Sequence, residues 1–409
     1  MRSARSVDTS AMEPLMPSVE PLAESAIVLV REASELGGQL HPTTRKSVAD
    51  LLRTINTYHS NLIEGHNTRP RDIERALAGH LSSSPERRAL QLEARAHIDV
   101  QQLLEQRLAD DPGLRITDIE FLLLLHREFY ERMPGEWRKV RDADGTRERT
   151  VIPGTLREDE VDVGRHVPPP PSALPRFLER FSQVYDPDRL KGLDQVIAIA
   201  ASHHRLLWIH PFLDGNGRVA RLFTDAYLRR AGLGGHGLWT ASRGLARHHS
   251  GYFETLAAAD AERWNNYDGR GARSEAALVA FCEFFLGICL DQVRFMKGLL
   301  ALDGLIARIE GYVARRAAGG LDAKLPLEAG RLLTEALLRG EVARGEAARI
   351  TGTSERTGRR ILNTLTGEKL LLSDTPKGPV RLGLAMHAVG FYFPHLFPED
   401  SLDDRPPAR

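Results

Sequence analysis

Cysteine is almost missing from this chain: Cys282 and Cys289 are the two among 409 residues. No disulfide framework and no CxxC ligand set can be built from them. They stand seven apart in the apolar run AALVAFCEFFLGICL, two helical turns, and so read as small hydrophobes on one helix face in a reducing setting. Long apolar runs are missing too. The early run AIVLV (26–30) is too short for the core of a secretory leader, and no stretch approaches the roughly 18 apolar residues of a membrane span. There is no surplus of charge: 55 Lys and Arg balance 55 Asp and Glu, so any claim about nucleic acid or anionic surfaces must rest on local patches. No GxxxxGK(S/T) stretch and no repeat of solenoid period occur. What remains is the expectation of a cytoplasmic protein without membrane contact, with 42% hydrophobic residues for a core and two or three domains at about 150 residues each.

Residues 1–42 read as an N-terminal arm, the first 24 rich in Met, Pro, Ser and Glu, without period, and so disordered or loosely attached. From Thr43 the pattern turns helical: Val48, Leu51, Leu52, Ile55, Tyr58 and Leu62 keep the i, i+3, i+4, i+7 spacing, and Gly65 stops the helix 43–65. Further helices are expected at about 70–79, 86–110, 116–132, 173–184, 193–209 and 274–316. The stretch 137–167 breaks this regime with Asp-Gly and Pro-Gly punctuation and β-branched residues, and reads as a short hairpin flap before the prolines at 168–171. From 323 to 385 the order helix, helix, turn at Gly352, helix and hairpin reads as a winged helix, followed by a tail at 386–409.

His210 to Arg221 read HPFLDGNGRVAR. His210 precedes Pro211, which biases it out of the α region and ends the helix there. Phe212 and Leu213 are the apolar anchors of the loop. Gly215 and Gly217 permit positive φ, so successive N–H groups can face one concavity, and a helix beginning near Arg218 adds unpaired N–H groups suited to phosphate. Arg218 and Arg221 share a face of that first turn, where cations oppose the helix dipole by roughly 0.3–1 kcal/mol each unless a polyanion neutralises them. Asp214 is an oxygen ligand fit for Mg²⁺ beside substrate phosphates. His210 can take a proton near neutral pH. A metal, a phosphate cradle and a base together point to phosphoryl or nucleotidyl transfer.

This segment resembles the signature of the Fic family, HPFx(D/E)GNGRxxR, at every fixed position. The resemblance implies a mostly α fold over about residues 45–300: a Fic-type helical bundle with a small β-hairpin flap, here within a catalytic region 43–316, and a winged helix-turn-helix as a common companion. It implies transfer of AMP from ATP, with Mg²⁺, to a Ser, Thr or Tyr hydroxyl of a target protein. By position, His210 is then the base, Asp214 holds the metal, Gly215, Asn216 and Gly217 form the anion hole, Arg218 meets the phosphates and Arg221 the γ-phosphate. The flap would hold the target by main-chain pairing. Tyr252 and the Gly269-Arg270-Gly271 turn resemble stretches lining the nucleotide's base side, with a core or rim role equally open for Tyr252.

Ser60 and Glu64 lie one turn apart at the end of the helix 43–65, followed by Gly65. A carboxylate at a helix C-terminus opposes the dipole and favours a cationic partner. The stretch resembles the inhibitory (S/T)xxxE(G/N) motif of Fic proteins, which implies that Glu64 pairs with Arg221 and obstructs the γ-phosphate. The main expectation is therefore an autoinhibited protein adenylyltransferase. Removal of AMP from modified targets, another nucleotide donor, and a DNA-binding regulator whose core senses nucleotide are the alternatives. Self-modification and a homodimer stay open. In the C-terminal region, Arg356, Arg359 and Arg360 suit DNA, but Glu346, Glu355 and Glu368 dilute them, so protein contact is favoured over DNA contact there.

Overall fold

The computed structural model describes residues 8–141, 148–319 and 324–398. Its first helices are α1 (Ala23–Glu35), α2 (Pro42–Ile63), α3 (Pro70–Leu77), α4 (Pro85–Asp110) and α5 (Ile119–Glu131). Three of them, α2 to α4, open on proline, whose missing N–H is harmless in a first turn. His41 caps α2 by accepting from the Thr43 N–H at 3.2 Å, and Gly65 at φ +83° ends it. A short hairpin follows, β1 (Lys139–Arg141) against β2 (Glu148–Thr150), antiparallel with Val140 opposite Arg149. Its Asp144-Gly145 turn lies outside the described residues.

The central layer is α6 (Leu174–Tyr185), α7 (Leu193–Ile209), α8 (Asn216–Arg230), α9 (Ala241–Arg247), α10 (His249–Ala259) and α11 (Glu275–Leu300). Helix α7 is buried on nearly every side, because its run of Ala and Ser lets α6, α8 and α11 approach closely. Ser274 caps α11 by accepting from the Ala277 N–H at 3.0 Å. By length and composition α11 is apolar enough to cross a membrane, contrary to the expectation from the sequence, although half of that window is buried against neighbouring helices. Cys282 and Cys289 are both buried and free on α11, on the shared face their spacing predicts.

Behind α12 (Leu302–Ala317) come α13 (Ala329–Arg339), α14 (Ala347–Thr351), α15 (Glu355–Gly367), the two-residue strands β3 (Leu371–Leu372) and β4 (Arg381–Leu382), and α16 (Met386–Tyr392). Strands β3 and β4 pair antiparallel, and Val342 bridges Val380 beside them.

Two expectations fail. The arm is not loose: Met12, Leu15 and Leu22 are buried, α1 packs along α11, and Arg205 donates to the Pro14 carbonyl at 2.8 Å while Tyr185 donates to that of Leu15 at 2.5 Å. Nor do residues 386–397 trail away. Helix α16 packs on α12 and α3, Arg243 donates to the His395 carbonyl at 2.6 Å, and the Phe397 ring stands edge-on to Tyr58 of α2, centroids 5.5 Å apart.

Candidate active site

The left-handed turn between α7 and α8 makes the site. His210 ends α7 at φ +49°, ψ +61°, and Gly215 at φ +80° begins α8. A Cβ on Gly215 would stand 2.7 Å from Tyr130, so glycine is required there on two grounds. Asn216 closes the loop on itself: its Oδ1 accepts from the Phe212 N–H at 2.9 Å and its Nδ2 donates to the Phe212 carbonyl at 2.8 Å. Its side chain is therefore a staple, and what it can offer an anion is its backbone. Phe212 stacks on His126 at 4.1 Å with the rings 4° from parallel, which anchors the turn to α5.

His210 Nδ1–H donates to the Leu207 carbonyl at 3.3 Å, leaving Nε2 as the available base. Burial pushes the ring's pKa down to about 4, with the Arg157 charge acting in the same direction, so it is neutral at physiological pH. Arg157, itself buried, donates Nε to the His210 carbonyl at 2.7 Å and an Nη to the Pro169 carbonyl at 2.5 Å, and so fixes the His-Pro corner from the flap.

Asp214 Oδ2 accepts from the Tyr130 hydroxyl at 2.7 Å, and Asp214 Oδ1 has no hydrogen-bond partner among the described residues. Burial and the Asp214 charge hold Tyr130 well above the usual phenol range, so it remains a donor. One carboxylate oxygen is thus steadied and the other is free for a hard cation. No cluster of three or more His, Cys, Asp or Glu exists among the described residues, so an ion there would draw its remaining ligands from water and phosphate.

Arg221 is almost fully buried on α8. Its Nε donates to Ser60 Oγ at 2.8 Å and its Nη2 reaches Glu64 Oε1 at 2.5 Å. Burial alone would raise the Glu64 pKa, but the Arg221 and Arg218 guanidiniums outweigh it and keep the carboxylate ionised. A Cβ on Gly217 would overlap Glu64 Oε1. Glu64 therefore rests directly on the first turn of α8, where a bound phosphate would otherwise face the helix's unpaired N–H groups.

Arg218 is turned elsewhere. Its Nη2 forms an ion pair with Glu93 of α4 at 2.5 Å, and its guanidinium stands 5.2 Å from the Phe129 ring centre. Burial works against its charge, and Glu93 more than restores it. His66 Nδ1–H donates to Glu93 at 2.8 Å, which raises the pKa of that ring. The 3.3 Å approach of Arg218 to the same Nδ1 is contact between two donors. Glu93, His66, Arg157 and Tyr130 are all absent from the sequence-based set. Glu93 falls in helical phase with Ala89, Ala96, His97 and Val100 on the buried stripe of α4, and Tyr130 with Leu122 and His126 on that of α5, but neither spacing signals a site.

A cavity of about 1360 Å³ gathers Glu64, His210, Gly217, Arg221 and Tyr252, together with Val163–Val167 and Trp208. Asp214, Gly215, Asn216, Arg218, Ser60 and Gly65 do not line it. Tyr252 is 2% exposed, with its hydroxyl hydrogen-bonded to His203 Nε2 at 2.8 Å, so it belongs to the cavity floor. The Gly269-Arg270-Gly271 turn does not itself line the cavity, although Ala272 and Arg273 next to it do; a Cβ on Gly271 would meet the Glu13 backbone at 2.6 Å, so the turn receives the N-terminal segment. The flap also divides. Neither β1 nor β2 lines the cavity, and a tighter bend, Val163 bridged to His166 across Gly164, forms its rim.

The model of the Fic/DOC family matches residues 116–228, the stretch running from the start of α5 through the motif to the end of α8. Residues 116–228 form a Fic domain. Over 79 residues the chain is 40% identical to the protein adenylyltransferase Fic of Drosophila erecta and 42% identical to that of Drosophila persimilis, 19% of this chain in each case. The match spans 16% of the length of those relatives. A structure of Fic-1 from C. elegans superposes with a TM-score of 0.50 at 15% identity, covering 68% of this chain and 72% of that one, a likeness of fold that extends beyond the Fic domain itself.

Proposed function

We propose that this chain is a self-restrained protein adenylyltransferase, moving AMP from ATP to a Ser, Thr or Tyr hydroxyl of a target protein in a cytoplasmic setting. One observation carries the reading: Glu64 occupies the first turn of α8 and binds Arg221 inside the cavity that holds His210. A helix start flanked by arginine favours an anion. The chain supplies its own carboxylate where the γ-phosphate of ATP would sit, so nucleotide binding must displace it or settle beside it.

The neutral His210 takes the proton of the target hydroxyl at Nε2. The hydroxyl oxygen bonds to the α-phosphorus as the bond from that phosphorus to the bridging oxygen breaks, and pyrophosphate leaves. The N–H groups at the start of α8 face the phosphates, and Arg221, once released by Glu64, balances the terminal charge. Mg²⁺, held through the free Asp214 Oδ1, would lend positive charge to the departing pyrophosphate. The bend at Val163–Val167 offers main chain to a target segment at the rim.

Intact mass spectrometry after incubation with ATP and Mg²⁺, joined to transfer of α-phosphate label onto lysate proteins, tests this. Glu64→Gly is expected to gain AMP or label targets well above wild type, and Glu64→Gly/His210→Ala to do neither. Equal labelling by wild type and Glu64→Gly overturns the restraint, and labelling that survives His210→Ala overturns the base.

A further inference from the structure

We infer that the outer face of α15 is a binding surface for double-stranded DNA, an activity separate from nucleotide transfer. Arg356, Arg359, Arg360 and Asn363 fall at i, i+3, i+4 and i+7 and are all exposed on one stripe. The opposite stripe, Gly358, Ile361, Leu362 and Leu365, is buried against α13, α14 and β3. Gly352 at φ +68° makes the turn between α14 and α15, and a Cβ on Gly358 would stand 2.7 Å from the Ala348 backbone. The two helices thus cross at the close contact of a helix-turn-helix, which leaves the arginine stripe facing outward.

The acids that dilute this patch in sequence are removed from it in space. Glu346 is held between Arg339 at 3.0 Å and Arg349 at 2.6 Å. Glu368 is bound by both terminal nitrogens of Arg316, at 2.9 and 3.0 Å. Glu355 alone remains beside the stripe, and no carboxylate among the described residues pairs with Arg356, Arg359 or Arg360. Residues 324–385 hold 11 Lys and Arg against 7 Asp and Glu, a surplus of positive charge in a chain that is neutral as a whole. Exposed Lys377 sits in the loop between β3 and β4, and Arg344 donates to the Gly378 carbonyl at 2.9 Å, joining that loop to the turn before α14. An outward stripe of arginines that no described carboxylate pairs, beside a loop in which Arg381 takes up Asp374 and Lys377 stays exposed, offers the cations that duplex phosphates favour. The stripe holds no apolar anchor of the kind a protein interface centres on, and no aromatic ring on which single-stranded bases would stack.

The test is fluorescence anisotropy of the full chain with a labelled mixed-sequence duplex, titrated between about 50 and 200 mM salt. Wild type is expected to bind, and Arg356→Ala/Arg359→Ala/Arg360→Ala to bind at least tenfold more weakly. The slope of log affinity against log salt should flatten by about 2–3, from the loss of three phosphate contacts. Glu355→Gln, which removes the one nearby acid without touching the core, is expected to tighten binding, so the inference stays exposed even if the triple variant folds poorly. No binding at the lowest salt, a triple variant that binds like wild type, or equal preference for single strands overturns it.

Discussion

Arg218 and Glu93 keep their charges out of water together, with side chains 8% and 2% exposed. A buried pair of this kind gains little over a well-packed apolar substitute, yet removing one member strands the other. Glu93→Gln is therefore expected to lower the unfolding free energy by about 3–5 kcal/mol, read from the urea midpoint, and Glu93→Gln/Arg218→Met to recover much of that loss. An unchanged midpoint in the single variant would show that the pair carries no such burden. At this scale the sequence was most legible where chemistry is contiguous. The twelve residues His210–Arg221 could be read because one turn must contain them all. Arg157 could not, since it reaches the His-Pro corner from an aperiodic stretch of the flap. Glu93 hid as one more carboxylate on a long, charged helix.

Helix α2 is braced by polar contacts that its apolar spacing does not announce. Asn56 Nδ2 donates to Gln101 Oε1 at 2.8 Å and to Asp225 Oδ2 at 2.6 Å, and the Thr240 hydroxyl donates to Asn56 Oδ1 at 2.7 Å. These bonds set the rotation of α2 about its axis and so the direction in which Ser60 and Glu64 face. Helices with a clear 3.6-residue period were legible to within a few residues, as at 70–77 and 193–209. Residues 8–22 were misread because their burial rests on isolated anchors in short turns, with no period to detect, whereas α1 behind them does keep a helical spacing at Ala26, Leu29 and Ala33. Leu22 is one of those anchors and is fully buried. Leu22→Ala is accordingly expected to cost about 2–5 kcal/mol in denaturant unfolding, whereas truncating a side chain on a loose arm would cost nothing measurable.

Across the molecule, burial keeps a group of histidines neutral: His59, His97 and His203 are pushed down to about 3, and His126 and His210 to about 4. In the unfolded chain each titrates near its ordinary value of about 6.5. Below that pH the unfolded state binds more protons than the native one, so stability is full above about 6.5 and declines with acidification toward the folded values. Each ring contributes up to about 1.4 kcal/mol per pH unit to that decline. Glu64, held below its ordinary 4.5, acts in the same direction at still lower pH. Thermal unfolding is expected to shift steadily downward between pH 6.5 and 4.5. A flat profile would mean that these rings are solvated.

The 22 residues of α2 touch both ends of this molecule. Near its start, the Thr44 hydroxyl donates to the Leu337 carbonyl of α13 at 2.9 Å, and near its finish Glu64 meets Arg221. Equilibrium linkage across such a shared strut has to be reciprocal. If occupancy of the arginine-bearing face of the C-terminal helices changes ATP affinity by some factor, ATP must change the affinity of that face for its ligand by the same factor. One pair of titrations, each ligand with and without the other, would measure that factor twice.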